Sequence, residues 1–309
     1  MTTSPARRRL ALVTITATAA AAVVAVIAAW ALAPAAPSVP AADPTPSSSP
    51  TPATAASPRP VPAVDAGALS ALPEARYDAV IGGLLVADTA VPAHADVYST
   101  ASDLPLFGDA DGTGRPGGSG GPIARLAARD FLGEATPVVV VRIEGSWALV
   151  LTPARRTLPS AAPAGQPAAA QTEAWAPLAS LAKTTGPTSR VEVSVAQRSV
   201  SIVALDGTVQ ATFPAAVGAD GTPTPTGVVG YLEARYVDPS QGTGDQPIHL
   251  TSLHSAAADE PFGGHDGGLI GIHYADERDG AISHGCVRIG ADAVAALAAL
   301  PLGTLVVLR

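Results

Sequence analysis

Over residues 190–195 valine alternates with polar side chains, and this alternation constrains the fold more strongly than any other feature of the chain. A period of two predicts a strand with one buried face and one face in water. The pattern resumes over 200–205, Asp206 followed by Gly207 is a hairpin turn signal, and 208–217 supply a third stretch. These residues therefore predict an antiparallel β-meander.

The residues that follow predict more strands and one short helix. Alternating prolines over 222–227 predict a rigid extended loop, because proline fixes φ and has no N–H to give to a sheet. The fold predicted for residues 188–309 is mainly β, a sandwich or barrel with one short helix. Its further elements are strands at 228–232, 248–250, 269–273 and 304–308 and a helix at 291–300.

Composition limits the partners of the chain. The 309 residues are enough for about two domains, and 30 glycines with 30 prolines favour β structure over helical bundles. The formal charge is −8; three arginines are the only charges before residue 34, so the rest, with 15 basic and 26 acidic residues, carries −11. Such an acidic surface excludes nucleic-acid binding through bulk electrostatics. A single cysteine cannot form an internal disulfide.

The N-terminus predicts an anchored protein outside the cytoplasm. Residues 1–9 hold three consecutive arginines, and the uncharged run 10–33 is long enough to cross a bilayer of about 30 Å as a helix. The basic segment should stay in the cytoplasm, which places the remainder at the outer face of the membrane or in the cell wall. A cleaved signal peptide is the alternative, because 31–33 has a small-x-small form, and the protein would then be secreted. Residues 34–62, rich in Pro, Ser, Thr and Ala, predict an extended spacer.

Residues 63–183 predict a small β domain whose strand order resembles a bacterial SH3-like barrel. The apolar stretches 138–143 and 147–152 are joined by a short connection that contains Gly145, and this arrangement predicts a hairpin. Trp147 and Trp175 either bind wall polymer or peptide as exposed aromatic side chains or fill the core of the barrel, and we favour the core. Short strands are predicted at 131–132, 138–143, 147–152 and from Trp175 onward.

The only cysteine, Cys286, has the surroundings expected of a nucleophile. Imidazole can accept a thiol proton, and both His284 and His273 are close in sequence. Gly285 allows a tight turn in which consecutive N–H groups of 284–286 point at one oxyanion. His273 follows an apolar run, so it should lie at a strand end facing Cys286. His284 is too close in sequence for its ring to reach the thiol, and we expect its backbone to shape the turn.

Two other interpretations of Cys286 remain open. One is an ordinary buried cysteine, which is common for this residue type. The other is a metal site with His273, His284 or His265, although the spacings typical of zinc sites are absent. His249, His254 and His265 are more typical of loops and strand ends than of catalytic positions, and His94 has no motif around it.

The string Ser283-His-Gly-Cys-Val-Arg288, together with the threonines and prolines of 222–228, resembles the signature of the L,D-transpeptidase (YkuD-like) catalytic domain. The resemblance implies that Cys286 is the nucleophile, that His273 is the general base, and that Ser283, His284 and Gly285 complete the catalytic motif.

The resemblance also implies the substrates. They are peptidoglycan stem peptides, a tetrapeptide donor that loses D-alanine and a stem-peptide amine acceptor, joined in a 3→3 cross-link. Arg288 suits a substrate carboxylate, while Thr224 and Thr226 are expected to form the wall of the site, with Thr226 at the substrate. No cofactor or metal is implied, and we expect a monomer.

Two departures from the family pattern concern the substrate side of the site. Tyr274 stands where the family has a small residue, and we place it among the substrate-binding residues. The loop from 275 to 282 is short and acidic; it either attracts an acceptor amine or is a solvated surface loop. Function also has alternatives: an L,D-carboxypeptidase using the same cysteine, or a non-catalytic wall-binding protein.

Overall fold

The structure, a computed structural model, describes residues 60–87, 90, 92, 95–108, 120–257 and 268–309. The predicted cytoplasmic segment 1–9, the anchor 10–33 and nearly all of the spacer 34–62 lie outside these residues, as do His94 and His265. Within the described ranges, no helix has the length and apolarity needed to cross a membrane.

Seventeen strands and two α-helices make up the described part of the chain. The helices are α1 (Ala66–Ser70) and α2 (Ala291–Ala298), and short 3₁₀ turns occur at Pro159–Ala161, Leu178–Ser180 and Pro239–Gln241. The strands are β1 (Leu85–Val86), β2 (Asp96–Ser99), β3 (Leu104–Leu106), β4 (Ala124–Leu126), β5 (Val138–Glu144), β6 (Trp147–Thr152), β7 (Thr172–Pro177), β8 (Ala182–Lys183), β9 (Ser189–Ser194), β10 (Ser199–Ala204), β11 (Val209–Gly218), β12 (Val228–Tyr236), β13 (Ile248–His254), β14 (Leu269–Tyr274), β15 (Ala281–Ser283), β16 (Val287–Ile289) and β17 (Leu305–Leu308).

The strands from β9 onward form one mixed sheet that closes on itself. Its order is β10-β9-β17-β12-β13-β14-β16-β11-β15, and β11 also pairs with β10, which completes a ring of strand pairings. Val191 and Val193 are fully buried in the enclosed core, as the alternation predicts, and α2 packs into the same cluster through Val294 and Leu297. The prediction of a mainly β fold with one short helix is confirmed for this region.

The antiparallel meander is confirmed for β9, β10 and β11, with Gly207 at φ 92° in the turn before β11. The sheet also contains parallel pairs that the sequence did not predict: β17 with β9, β14 with β16, and β11 with β15. Closure of the sheet brings these segments together, and no local pattern of side chains records it.

Six of the eight strands before β9 form an antiparallel sheet with order β1-β7-β6-β5-β2-β8, and β3 and β4 form a separate two-stranded sheet. The predicted hairpin is present as β5 and β6, with Gly145 at φ 59° between them. The prediction of a strand at 131–132 is wrong, because Phe131 and Leu132 lie in a turn and are 38% and 43% exposed. The resemblance to an SH3-like barrel stays a prediction, as does the domain boundary near residues 183–188.

Trp147 and Trp175 lie at 0% exposure, so both fill the core. Phe107 packs edge-on against Trp147 with ring centroids 5.0 Å apart, and its backbone exchanges hydrogen bonds with Trp175. Neither indole has a face left for a wall polymer, so the interpretation as exposed binding aromatics is wrong.

One apolar cluster joins the two sheets. Val97, Val139 and Leu151 of the N-terminal sheet pack with Tyr231 and Val307 of the closed sheet. At Gly303 a Cβ atom would lie 2.8 Å from Val97, so the turn before β17 approaches the other sheet closely. Burial on both sides ties the positions of β12 and β17 to the N-terminal sheet.

Glu233 of β12 is a buried carboxyl close to this junction, with 4% of its surface exposed. Its Oε2 atom has no hydrogen-bond partner among the described residues. Burial raises the pKa of Glu233 well above 4.5, and the charges of Asp130 and Asp78 raise it further. The native protein therefore keeps a proton on Glu233 at a pH where the unfolded chain has lost it.

We expect Glu233→Gln to stabilise the protein increasingly as pH rises. Because the native pKa of Glu233 is raised, its contribution to stability is fully present below the unfolded pKa. Between the unfolded and the native pKa this contribution is lost at about 1.4 kcal/mol per pH unit. The difference in free energy of unfolding between variant and wild type, from urea titrations, should grow with pH above about 4.5. The exposed Glu134→Gln is the matched control, and equal behaviour of the two variants would contradict the burial argument.

Trp147→Ala tests the core assignment. Removing a fully buried indole should lower the free energy of unfolding by about 3–5 kcal/mol. Leu132→Ala, on the exposed turn, should change it by less than about 0.5 kcal/mol. Chemical denaturation of both variants measures these changes in the free energy of unfolding. If Trp147→Ala lowered it no more than Leu132→Ala, the indole would not be a core residue.

Candidate active site

Cys286 lies in the tight turn between β15 and β16. The Ser283 hydroxyl closes this turn, donating to the Cys286 carbonyl at 2.5 Å and accepting from the Gly285 N–H at 3.2 Å. Gly285 has φ 110°, and a Cβ there would lie 2.9 Å from Ile270 Cδ1. The backbone conformation therefore favours glycine before the cysteine, and a Cβ there would also have to displace the end of the Ile270 side chain.

The Cys286 sulfur rests against β14. Gly271 N–H donates to Sγ at 3.4 Å, and Sγ lies 3.5 Å from the Leu269 carbonyl oxygen. The thiol is partly exposed. A Cβ at Gly271 would lie 3.9 Å from Sγ, so the sulfur faces the side of β14 on which Gly271 and every second residue project.

His273 is two residues beyond Gly271 and so projects from the same face of β14 as the one that Sγ contacts. Its Nδ1 lies 2.8 Å from the Tyr274 carbonyl oxygen. A carbonyl only accepts, so Nδ1 carries the proton and Nε2 is the basic nitrogen. Burial lowers the pKa of His273 below 6.5, the bond to the Tyr274 carbonyl raises it in part, and the Arg288 charge lowers it again. The ring is therefore neutral at neutral pH.

Arg288 is the direct neighbour of His273 in the parallel pairing of β14 with β16. Partners in register project from the same face of a sheet. The guanidinium thus lies on the side of the imidazole and the thiol, where its fork suits a substrate carboxylate.

Two threonines of the predicted proline-rich loop hold the cysteine turn. Thr224 donates to the Gly285 carbonyl at 2.7 Å and accepts from the Gly218 N–H at 2.9 Å. Thr222 donates to the Ser283 carbonyl at 2.9 Å. Thr224 is buried, whereas Thr226 is exposed at the end of the loop. Through Thr222 and Thr224 the loop lies against the cysteine turn, and a role for Thr226 at the substrate stays a prediction.

The predicted oxyanion donors are arranged unequally. The His284 side chain is exposed, and the backbone role of this residue stays a prediction. Gly285 N–H is directed at the Ser283 hydroxyl, so it serves the turn. The N–H groups of His284 and Cys286 belong to the two peptide units whose carbonyls the threonines bind.

Tyr274 points to the opposite side of β14 from His273, where its ring packs against the sheet core. Its hydroxyl donates to Asp276 at 2.5 Å, and this contact raises the pKa of Tyr274. Arg278 Nη1 donates to the carbonyls of Ala275 and Asp276. The acidic loop is therefore held by its own internal contacts.

The two remaining described histidines serve the fold. Burial lowers the pKa of His249 to about 4 and that of His254 to about 3. His249 Nε2 is 3.2 Å from the Val294 carbonyl, and His254 Nε2 is 2.9 Å from the Tyr77 carbonyl, so each ring donates to backbone. Among the described residues, no three His, Cys, Asp or Glu side chains lie close enough together to hold a metal ion.

Ser255 borders the site without any sequence signal that marked it. Its Cβ lies 3.7 Å from where a Cβ of Gly285 would be. Ser255 directly follows β13, and the closed sheet brings the end of that strand to the cysteine turn.

Comparison with solved structures finds L,D-transpeptidases at low similarity. One from Mycobacterium smegmatis is 17% identical, with 56% of this chain and 90% of that chain covered and a TM-score of 0.32. One from Mycobacterium tuberculosis H37Rv is 14% identical, with 56% and 90% covered and a TM-score of 0.33. The catalytic domain of the E. faecium enzyme is 22% identical, with 39% and 96% covered and a TM-score of 0.28.

Comparison with curated proteins gives no match. The family comparison is specific: residues 188–308 match the model of the L,D-transpeptidase catalytic domain, YkuD. By this match the chain carries, over residues 188–308, a catalytic domain of the L,D-transpeptidase (YkuD) family.

Proposed function

We propose that the protein is a peptidoglycan L,D-transpeptidase that forms 3→3 cross-links through a thioester on Cys286. The observation that supports this most directly is the pairing of β14 with β16. It sets the basic Nε2 of His273 on the face where the Cys286 sulfur lies, with the Arg288 guanidinium beside it.

The first half of the reaction forms the acyl-enzyme. His273 Nε2 takes the thiol proton as the Cys286 sulfur attacks the carbonyl that precedes the terminal D-alanine. A carbon–sulfur bond forms, and the carbonyl oxygen becomes an oxyanion beside the backbone N–H groups of His284 and Cys286. Collapse breaks the peptide bond, the proton on His273 passes to the leaving amine, and D-alanine departs.

The second half transfers the acyl group. The amine of a second stem peptide attacks the thioester and loses a proton to His273 Nε2, and the returning thiolate of Cys286 regains a proton. The new amide is the cross-link. If water attacks in place of the amine, the same intermediate gives a carboxylic acid, which is the L,D-carboxypeptidase alternative.

The basic N-terminal segment and the uncharged run after it extend the proposal to location. An anchor at 10–33 with the basic segment 1–9 inside would leave the catalytic region outside the membrane, where its substrates are, and 34–62 would space it from the bilayer. Cleavage of the segment would give a secreted form.

Cys286→Ala should abolish the acyl-enzyme. We expect the wild type, incubated with a disaccharide tetrapeptide, to gain the mass of the donor minus D-alanine in intact mass spectrometry, and the variant to gain none. Cross-linked dimer in the wild-type reaction identifies the transpeptidase, and tripeptide without dimer identifies the carboxypeptidase.

Circular dichroism of Cys286→Ala serves as the control for folding. A wild type that forms neither adduct nor product would overturn the enzyme proposal and favour the wall-binding alternative. An adduct on Cys286→Ala would show that another group is the nucleophile.

The pH dependence tests His273 as the base. Because Nε2 must be unprotonated to accept the thiol proton, the second-order rate of acylation should rise as pH increases through the His273 pKa, with its midpoint below 6.5. His273→Asn should lower this rate by about 10²- to 10⁴-fold and remove the low-pH limb.

His284→Gln is the matched comparison, because its exposed ring is not expected to take the proton. It should retain the low-pH limb with the same midpoint. A limb that survives in His273→Asn and disappears in His284→Gln would reverse the assignment. The measurement is the rate of D-alanine release between about pH 4 and about pH 8.

A further inference from the structure

We propose that Thr224 is a positioning residue for catalysis: its hydroxyl fixes the peptide unit that carries the Cys286 N–H and so aims an oxyanion donor. The inference rests on the proposed function, since it needs a tetrahedral oxyanion to be formed at Cys286. It concerns a residue that the sequence placed only in the wall of the site.

The Thr224 hydroxyl is a two-sided bridge. It donates to the Gly285 carbonyl at 2.7 Å and accepts from the Gly218 N–H at 2.9 Å, with 3% of the residue exposed. The bridge joins the end of β11 to the cysteine turn. At Gly218 a Cβ would lie 2.2 Å from the Thr222 carbonyl oxygen, so the loop passes as close to β11 as a glycine permits.

Because the peptide unit is planar, the hydrogen bond to the Gly285 carbonyl also sets the direction of the Cys286 N–H. In a planar trans peptide the C=O of one residue and the N–H of the next point in opposite directions, and no peptide bond among the described residues is cis. Holding the Gly285 carbonyl toward Thr224 therefore directs the Cys286 N–H away from Thr224. If this unit rotated, the carbonyl dipole would take the place of the donor.

Gly285 is the residue that most needs such a restraint. Without a Cβ, glycine can adopt both negative and positive φ angles, and the φ of 110° at Gly285 lies in the region that other residues avoid. An external hydrogen bond to its carbonyl removes this freedom. Pro223 and Pro225 flank Thr224 and fix φ on either side, so the restraint is itself rigid.

The neighbouring peptide unit has the same arrangement. Thr222 Oγ1 and the Ala219 N–H both donate to the Ser283 carbonyl, each at 2.9 Å. The His284 N–H belongs to that unit and points the opposite way. Two threonine hydroxyls, two residues apart, thus orient the two N–H groups that the proposed reaction uses.

The experiment compares two reactions of the same thiol in the full chain. Acylation by the disaccharide tetrapeptide passes through an oxyanion. Alkylation by iodoacetamide does not, because the thiolate displaces iodide directly: a carbon–sulfur bond forms as the carbon–iodine bond breaks. A misdirected oxyanion donor therefore slows the first reaction and spares the second, whereas a damaged or unfolded site changes both.

Thr224→Val keeps the shape and removes the donor, and Thr224→Ser keeps the hydroxyl. We expect Thr224→Val to lower the acylation rate by about 10²- to 10³-fold, which is the effect of losing one oxyanion donor. Alkylation should stay within about twofold of wild type, because it requires no oxyanion donor. The acylation rate of Thr224→Ser should stay within about tenfold of the wild-type rate, because the serine hydroxyl can form the same hydrogen bond.

The outcomes separate this inference from the proposed function. Equal acylation by wild type and Thr224→Val, or a parallel loss of acylation and alkylation, overturns the positioning role. A wild type that alkylates but is never acylated overturns the proposed function and this inference with it.

Thr222→Val is measured alongside Thr224→Val. Its acylation should fall less relative to its alkylation (a smaller split between the two reactions), because the Ala219 N–H still holds the Ser283 carbonyl. If Thr224→Val does not fold, judged by its urea midpoint, the split in Thr222→Val decides. Its absence would then overturn the inference.

Discussion

The parallel pairing of β14 with β16 is the interaction on which the site depends. It sets His273 opposite Arg288 and brings Gly271 against the Cys286 sulfur. A slip of one residue would turn His273 toward the core and Tyr274 toward the thiol, because successive side chains of a strand project to opposite faces. The rest of the closed sheet, with its buried core, keeps that register from slipping.

Loops of the region before β9 contact the end of β13. Arg155, only 2% exposed, donates from Nη2 to the Ser255 carbonyl at 2.9 Å, and His254 binds the Tyr77 carbonyl. Both contacts hold the end of β13, which borders the cysteine turn. The region before β9 therefore helps to keep that strand end in place.

Sequence patterns predicted the long elements and failed on the short ones. Alternation and the turn at Gly207 specify β9 to β11, because local side chains decide which face is buried there. The strands β15 and β16 each have 3 residues, too few to show a period. The apolar pair Phe131 and Leu132 suggested a strand, but both residues lie in a turn. The Phe131 ring makes edge-on contacts with the rings of Tyr77 and Tyr236, which are distant in sequence.

The residues of the proposed chemistry could be identified from the sequence: one cysteine in a Ser-His-Gly-Cys-x-Arg string, a histidine predicted at a strand end, and a proline-rich loop with threonines. These depend on residue type and short spacing, which a sequence displays directly. The fold adds contacts that no short segment displays: Thr224 bridges Gly218 to Gly285, and Thr222 binds the Ser283 carbonyl. Those facts depend on strand register and sheet closure, which arise from burial summed over the whole core and leave no mark on any single segment.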